Sequence, residues 1–297
     1  MVGKLSTIAP RTEVPARLRV FLRPPFCAAK MDFADDPITE VIRKQRVMQT
    51  FDDRVAVITG AGSGIGRACA VYFAERGATI GIHDINRDGA EETAQLVRKA
   101  GGGCGVFLCD ITDSKATKDM IQLVEAAFGR VDILVNNAGV VGDFKPVDEV
   151  SDEVFMRLMR IHAGGTLFAT QATVPGMKER RRGKIVNMSS VQGMVGFPNG
   201  TSYNAAKGAI LAMTKGWAKE LAPWNIMVNT VAPAGVWTPM TTDNLSPEFI
   251  ANRHKQIPLG RYAEAEEIAG AVAYLASPIA DFITGQVLSP NGGFVIT

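Results

Sequence analysis

The chain is poor in the residues from which metal centres and disulfide frameworks are built. Across 297 residues it has four cysteines (Cys27, Cys69, Cys104 and Cys109), with neither a metal-ligand spacing nor a disulfide framework among them. Its three histidines are scattered, so no metal site is expected. No apolar run approaches the roughly 18 residues that a membrane-spanning helix needs. A net charge of +2 gives no general affinity for nucleic acid. The one basic run, Arg180–Arg182, has no interleaved aromatics and reads as a solvated loop before a strand. These absences leave a cytoplasmic protein in a reduced compartment, acting on a small molecule without nucleic acid or membrane as partner.

The ends of the chain differ in character. Residues 1–30 carry six basic groups against a single acid, Glu13, and prolines at 10, 15, 24 and 25 break any helix or signal-peptide core. Met31 and Met48 offer alternative starts. Residues 1–50 are expected to be a disordered or dispensable extension, with one short helix starting at Asp36-Pro37. The domain proper is then 51–297. Apolar content of 46% and charged content of 21% suit a chain that buries a full core.

From Arg54 onward, β-branched runs alternate with helical periodicity. Strands are predicted at 54–59, 78–84, 105–110, 131–137, 183–190, 226–233 and 285–289. Helices are predicted between them, including a long one over 151–180 and another at 264–276. This alternation implies a parallel sheet covered on both faces, doubly wound by right-handed crossovers, with ligands at the carboxyl ends of its strands. The α/β reading is one domain, flanked by helices, without internal repeats.

Three segments carry chemistry. TGAGSGIG (59–66) joins the first strand to a helix. Gly60 permits a tight turn, while Gly64 and Gly66 let Ser63, Ile65 and the helix N-terminus approach a pyrophosphate. Asp84 ends the second strand, 18 residues past Gly66, where a carboxylate can accept both hydroxyls of an adenosine ribose. A carboxylate there would repel a 2′-phosphate, so NAD(H) is expected over NADP(H). Arg67 reaches either the phosphates or solvent. Finally, SYNAAKG (202–208) spaces Tyr203 and Lys207 for one helix face. Alone, that pair is equally an amphipathic helix snorkelling to water.

Taken together, TGAGSGIG, NNAG (136–139), the Ser189-Ser190 pair and Tyr203-x-x-x-Lys207 resemble the short-chain dehydrogenase/reductase family over about 51–297. Ser190 stands thirteen residues before Tyr203, as in the family pattern. The resemblance implies a single-domain Rossmann-type fold, a homodimer or homotetramer, and hydride transfer between nicotinamide and a carbonyl or secondary alcohol. It implies Tyr203 as general acid/base, Lys207 as the ribose-holding group that lowers the Tyr pKa, and Ser190 as donor to the substrate oxygen. Asp110, with Ile111 beside it, matches the adenine contact. Asn136, Asn137, Ala138 and Gly139 match the loop that supports the cofactor, and Pro233, Val236 and Thr238 match the carboxamide-gripping segment. An ammonium about 4 Å from the phenol, at an effective dielectric near 20, would lower the Tyr pKa by roughly three units.

Two departures stand out. His162 falls where the family has Asn in a water relay; it is either a relay residue or a satisfied core side chain. Pro233-Ala234 replaces the usual Pro-Gly, with Gly235 following. Substrate contacts are expected from Val141, Gln192, Met194, Phe197, Trp237 and Met240, with 240–257 as a lid. No cluster of cations near that lid calls for a charged substrate. Ala205 and Ala206 are expected to leave the helix face open to nicotinamide and substrate. An apolar or cyclic secondary alcohol or its ketone is the leading substrate class, with a 3-oxoacyl thioester as the alternative within the family. A catalytically silent cofactor-binding scaffold is the reading outside it.

Overall fold

A computed structural model describes residues 51–142 and 144–296. The expectations for residues 1–50 lie outside the described residues. Seven parallel strands form a sheet in the order β3-β2-β1-β4-β5-β6-β7: β1 (Val55–Thr59), β2 (Thr79–Asp84), β3 (Cys104–Leu108), β4 (Ile133–Asn136), β5 (Gly183–Met188), β6 (Ile226–Val231) and β7 (Val287–Leu288). The order reverses between β1 and β4, which opens a crevice at the carboxyl edge of the sheet.

Alternation along each strand divides the core in two. Ala56 and Ile58 of β1, with Ile80 and Ile82 of β2, pack under α1 (Gly64–Ala74), α2 (Arg87–Lys99) and α10 (Ala265–Ala276). Val55 and Val57, one residue out of phase, face α3 (Ser114–Phe128), α5 (Gly165–Glu179) and α7 (Thr201–Leu221). Asn86 and Asp113 accept backbone N–H bonds at the N-termini of α2 and α3, which is why these helices start where they do.

The predicted helix over 151–180 is interrupted. Asp152–Met159 forms α4 and Gly165 begins α5, while Arg160–Gly164 is a π-helical turn with His162 in it. Its widened hydrogen-bonding pattern pushes one residue out of the regular helical register. The predicted lid contains two helices, α8 (Pro239–Thr242) and α9 (Pro247–Gln256), and a short α6 (Val191–Val195) follows β5.

Inside the sheet's second face runs a line of buried polar side chains. Asn136 on β4 donates through Nδ2 to Asn187 on β5 (2.8 Å) and to Thr170 on α5 (3.0 Å). Asn187 donates to Thr214 on α7 (2.9 Å), which also accepts from Thr230 on β6 (2.7 Å). Each bond is made away from water, so the chain fixes the height of α7 against the strands. Replacing Asn187 by Leu should cost about 2–3 kcal/mol by leaving buried polar groups short of partners. Urea unfolding would read this as a lower midpoint at unchanged m-value; an unchanged midpoint contradicts it.

Candidate active site

The glycine loop takes its shape from two close approaches. Gly60 has φ +64°, and a Cβ on Gly66 would collide with the Gly60 carbonyl, so α1 can start only where both residues are glycine. Ser63, at the N-cap of α1, makes no side-chain cap bond, and a cavity of about 540 Å³ is lined by Gly60, Ser63, Gly64 and Ile65 at this helix start. Asp84, Asp110 and Ile111 line the same cavity, as do Asn137, Ala138 and Gly139. Gly66 lies beneath the loop rather than on its surface.

Asp84 is already partly engaged. One carboxylate oxygen accepts from Gly62 N–H at 2.7 Å and the other from Asn86 N–H at 2.9 Å. Each oxygen keeps further acceptor capacity toward the cavity. Arg67 is turned elsewhere, bonding Glu92 (2.7 Å), Thr93 (3.0 Å) and the Gly62 carbonyl. The loop after β4 is tied to the glycine loop: Asn137 donates to the carbonyls of Thr59 and Gly60, both at 3.0 Å. Thr59 Oγ1 in turn accepts from the Asn137 and Ala138 N–H groups. An uncapped helix N-terminus, glycines that allow close approach and an acceptor at the end of β2 together fit a dinucleotide.

Ile65, Asn137, Gly139, Thr238 and Met240 also line a second cavity of about 180 Å³. Ser190, Tyr203, Lys207 and His162 converge on this second space. Ser190 ends β5's exit turn and caps α6, accepting from Gln192 N–H at 3.2 Å. Ser189 is turned away, donating to the Lys207 carbonyl at 2.8 Å. A Cβ on Gly193 would lie 2.6 Å from the Lys207 backbone, so glycine is what lets α6 press against α7 here. Lys207 donates to the Met188 carbonyl at 2.8 Å and is 4% exposed.

Burial dominates the electrostatics. It pushes the Tyr203 phenol up to about 12, with the Ser190 hydroxyl drawing it the other way. It pulls the Lys207 amine down to about 7. The expectation that Lys207 lowers the Tyr203 pKa toward neutrality is therefore corrected. Desolvation outweighs the attraction of the ammonium at the phenol, and the same desolvation weakens the ammonium's hold on its own charge. His162 is fully buried, its ring edge-on to Tyr203 with centroids 5.3 Å apart. Its Nε2 lies 3.0 Å from the Val140 carbonyl, while Nδ1 has no partner among the described residues. Burial and the adjacent Lys207 hold its pKa well below the ordinary histidine range. A Cβ on Gly139 would meet this ring at 2.5 Å.

The remaining expectations divide. Val141, Gln192, Phe197 and Met240 line the smaller cavity, as do Pro233 and Val236. Met194 and Trp237 do not. Trp237 packs on His254 and Tyr262 with ring centroids 5.5 and 5.2 Å away, so Tyr262 faces the cavity instead. Neither Ala205 nor Ala206 borders a cavity: Ala205 is exposed and Ala206 is buried in the core. Sequence reasoning passed over Phe144, Arg253, Tyr262 and Phe294, which all line the space. Arg253 stands inside the lid segment and Tyr262 just after it, whereas Phe144 and Phe294 come from distant stretches that no local signal links to the site.

A parallel α/β sheet with this glycine loop, and with Ser, Tyr and Lys gathered beside it, defines the class as a Rossmann-type oxidoreductase. Residues 60–295 match the family described as enoyl-(acyl carrier protein) reductase. The chain is 39% identical over 245 residues to a 3-oxoacyl-(acyl-carrier-protein) reductase of Thermotoga maritima, covering 82% of this chain and 99% of that one. It is 37% identical over 246 residues to the cis-4-hydroxycyclohexanecarboxylate dehydrogenase of Sinomonas cyclohexanicum, with 83% and 98% covered. The crystal structure of an NAD+-bound xylitol dehydrogenase superposes with a TM-score of 0.78 at 33% identity, over 82% of this chain and 99% of the other. The chain belongs to the short-chain dehydrogenase/reductase family and is an oxidoreductase.

The buried lysine has a measurable signature. The amine is held near 7 in the folded protein, against 10.5 for an ordinary lysine, so between these values the unfolded chain binds more protons. Stability should then climb with pH from about 7 to about 10.5, by an amount on the order of a few kcal/mol. Tyr203, raised from 10 to about 12, acts oppositely only above 10. Denaturant titrations of the protein without added dinucleotide should show the climb, and Lys207→Met should flatten it. Identical pH dependence in both proteins would refute the assignment.

Proposed function

We propose that this enzyme interconverts a compact, apolar or cyclic secondary alcohol and its ketone with NAD(H). One observation carries the reading: Ser190 and Tyr203 line one cavity walled largely by apolar side chains, and Ile65, Asn137, Gly139, Thr238 and Met240 line both that cavity and the one bordered by Asp84. The preference for NAD(H) rests on the Asp84 carboxylate and on Arg67 being held by Glu92. The dinucleotide, when bound in the larger cavity, accepts or supplies the hydride.

In this reading Ser190 donates a hydrogen bond to the reacting oxygen, where charge develops. Tyr203 gives that oxygen a proton in ketone reduction and takes it back in alcohol oxidation. The high pKa of Tyr203 keeps it a proton donor across neutral pH, so reduction runs there with the acid form intact. Oxidation needs the phenolate and should accelerate as pH rises. Lys207 passes protons between Tyr203 and His162, whose unpartnered Nδ1 is the acceptor when Nε2–H is donated to Val140. Cyclic-alcohol chemistry in the Sinomonas relative supports the substrate class.

A second reading, reduction of a 3-oxoacyl thioester, is favoured by the 39% identity to the Thermotoga reductase. Exposed Leu123, Val147 and Met156 offer apolar surface for the dimer or tetramer proposed from the family pattern. The free thiols Cys69, Cys104 and Cys109 suit the reduced cytoplasmic compartment also proposed. Among the described residues no helix is long and apolar enough to cross a membrane.

The deciding experiment follows NADH absorbance over a panel of cyclic alcohols, ketones and 3-oxoacyl thioesters. Ring alcohols and ketones should exceed the thioesters in kcat/KM. Thioester preference selects the second reading, and silence throughout leaves only a cofactor-binding scaffold. Tyr203→Phe should lower kcat by roughly 10²–10⁴-fold while NADH affinity stays within about threefold. Retained turnover would remove Tyr203 from the chemistry. Substituting His162 by Ala should slow turnover and shift the pH–rate profile; an unmoved profile rejects the relay.

A further inference from the structure

The wall of the smaller cavity holds one feature that transfer of a hydride and a proton does not need. Arg253, on α9, is half-buried and lines the space that Ser190 and Tyr203 also line. Three phenyl rings surround its guanidinium, whose central carbon lies 4.7 Å from the Phe197 centroid, 5.3 Å from Phe249 and 5.2 Å from Phe294. Those rings come from three separate stretches of chain. Their faces attract the cation and restrict its orientation. Its side chain donates to Gln256 Oε1 at 3.2 Å, and among the described residues no carboxylate pairs with it.

A guanidinium left partly dry beside apolar surface carries a desolvation cost that no carboxylate among the described residues offsets; burial lowers its pKa, with the Tyr262 phenol drawing it the other way. A structural arginine on a helix usually reaches water or an acid; this one is framed by rings at the edge of a reaction cavity. Its fork of N–H donors matches a carboxylate in plane and spacing. The space itself is small. An apolar cavity of about 150 Å³ holds a benzene molecule, so one of about 180 Å³ takes a single ring or a short branched chain.

We propose that Arg253 is a specificity-determining residue that anchors a substrate carboxylate, so that the preferred substrate is a compact hydroxy acid or keto acid. This rests on the alcohol–ketone reading above and narrows it. The carboxylate takes no part in bond changes. With an oxidised dinucleotide bound, the carbinol C–H would leave as hydride and the O–H proton would pass to the Tyr203 phenolate, while the acid group stays ionised against Arg253 throughout.

The test compares 4-hydroxycyclohexanecarboxylate with its methyl ester on each enzyme preparation, since a ratio is insensitive to the fraction of protein folded. The wild type should favour the acid by about 10- to 100-fold in kcat/KM, mainly through KM, as a charge-assisted contact predicts. Arg253→Met should collapse that ratio to near one, and Arg253→Lys should restore part of it. If Arg253 merely clamps α9 to the rings, the variants lower acid and ester together and the ratio survives, which overturns the proposal. So does a wild-type ratio near one. A binding arm separates this from the parent reading: affinity for benzoate in the presence of NAD+, by calorimetry, should fall at least tenfold in Arg253→Met. Loss of turnover on every alcohol counts against the alcohol–ketone reading alone, whereas equal benzoate affinities count against Arg253.

Discussion

The geometry of the site depends on how firmly one helix is held to the sheet. Helix α7 carries Tyr203 and Lys207, and its height is set by bonds made without water, from Asn136 through Asn187 to Thr214 and Thr230. A slip of one turn would leave several buried polar groups unpaired at once. Such a cost makes the position of α7 discrete rather than adjustable. The Lys207 bond to the Met188 carbonyl and the Ser189 bond to the Lys207 carbonyl work at the same level, joining the helix to the end of β5. Strand ends, Ser190 and the Tyr–Lys pair thus move as one body.

That rigidity has an electrostatic counterpart. Packing tight enough to fix the pair also dries it, and drying favours the neutral forms of both groups. A neutral phenol beside an amine that readily gives up its charge suits proton donation to a carbonyl oxygen near neutral pH. Deprotonation of the phenol is left to conditions that supply charge or a higher pH. His162 belongs to the same dry compartment, and its position follows from the π-helical turn at Arg160–Gly164. A regular helix would carry its ring to a different azimuth, away from Gly139.

Much of this architecture is legible in the residues. Alternating β-branched runs and helical spacing place all seven strands to within a few residues. TGAGSGIG reads correctly because its glycines answer a steric demand local to the loop. What escapes is whatever depends on partners distant in sequence. The pattern over 151–180 is continuously helical, and nothing in its periodicity marks an extra residue in one turn. Trp237 and Met194 look like pocket residues by proximity to motifs, but Trp237 is drawn onto His254 and Tyr262, and Met194 does not line the cavity. Arg253 reads as an ordinary helical cation, because its aromatic frame draws on residues 197, 249 and 294. The pKa directions were illegible for a related reason. Charge proximity can be guessed from spacing, whereas burial is a property of the whole fold.

Asp84 illustrates how tightly form and recognition are joined at the other end of the crevice. The carboxylate that faces the larger cavity also holds the Gly62 and Asn86 N–H groups, so it shapes the loop as well as its edge. Exchanging it for a small neutral side chain would release two backbone donors along with one negative charge. A lineage, or a protein engineer, moving this scaffold toward a phosphorylated ribose therefore faces a coupled change. A new acceptor for Gly62 must arrive with the new cation, and a route through single substitutions passes a loop that has given up two backbone bonds.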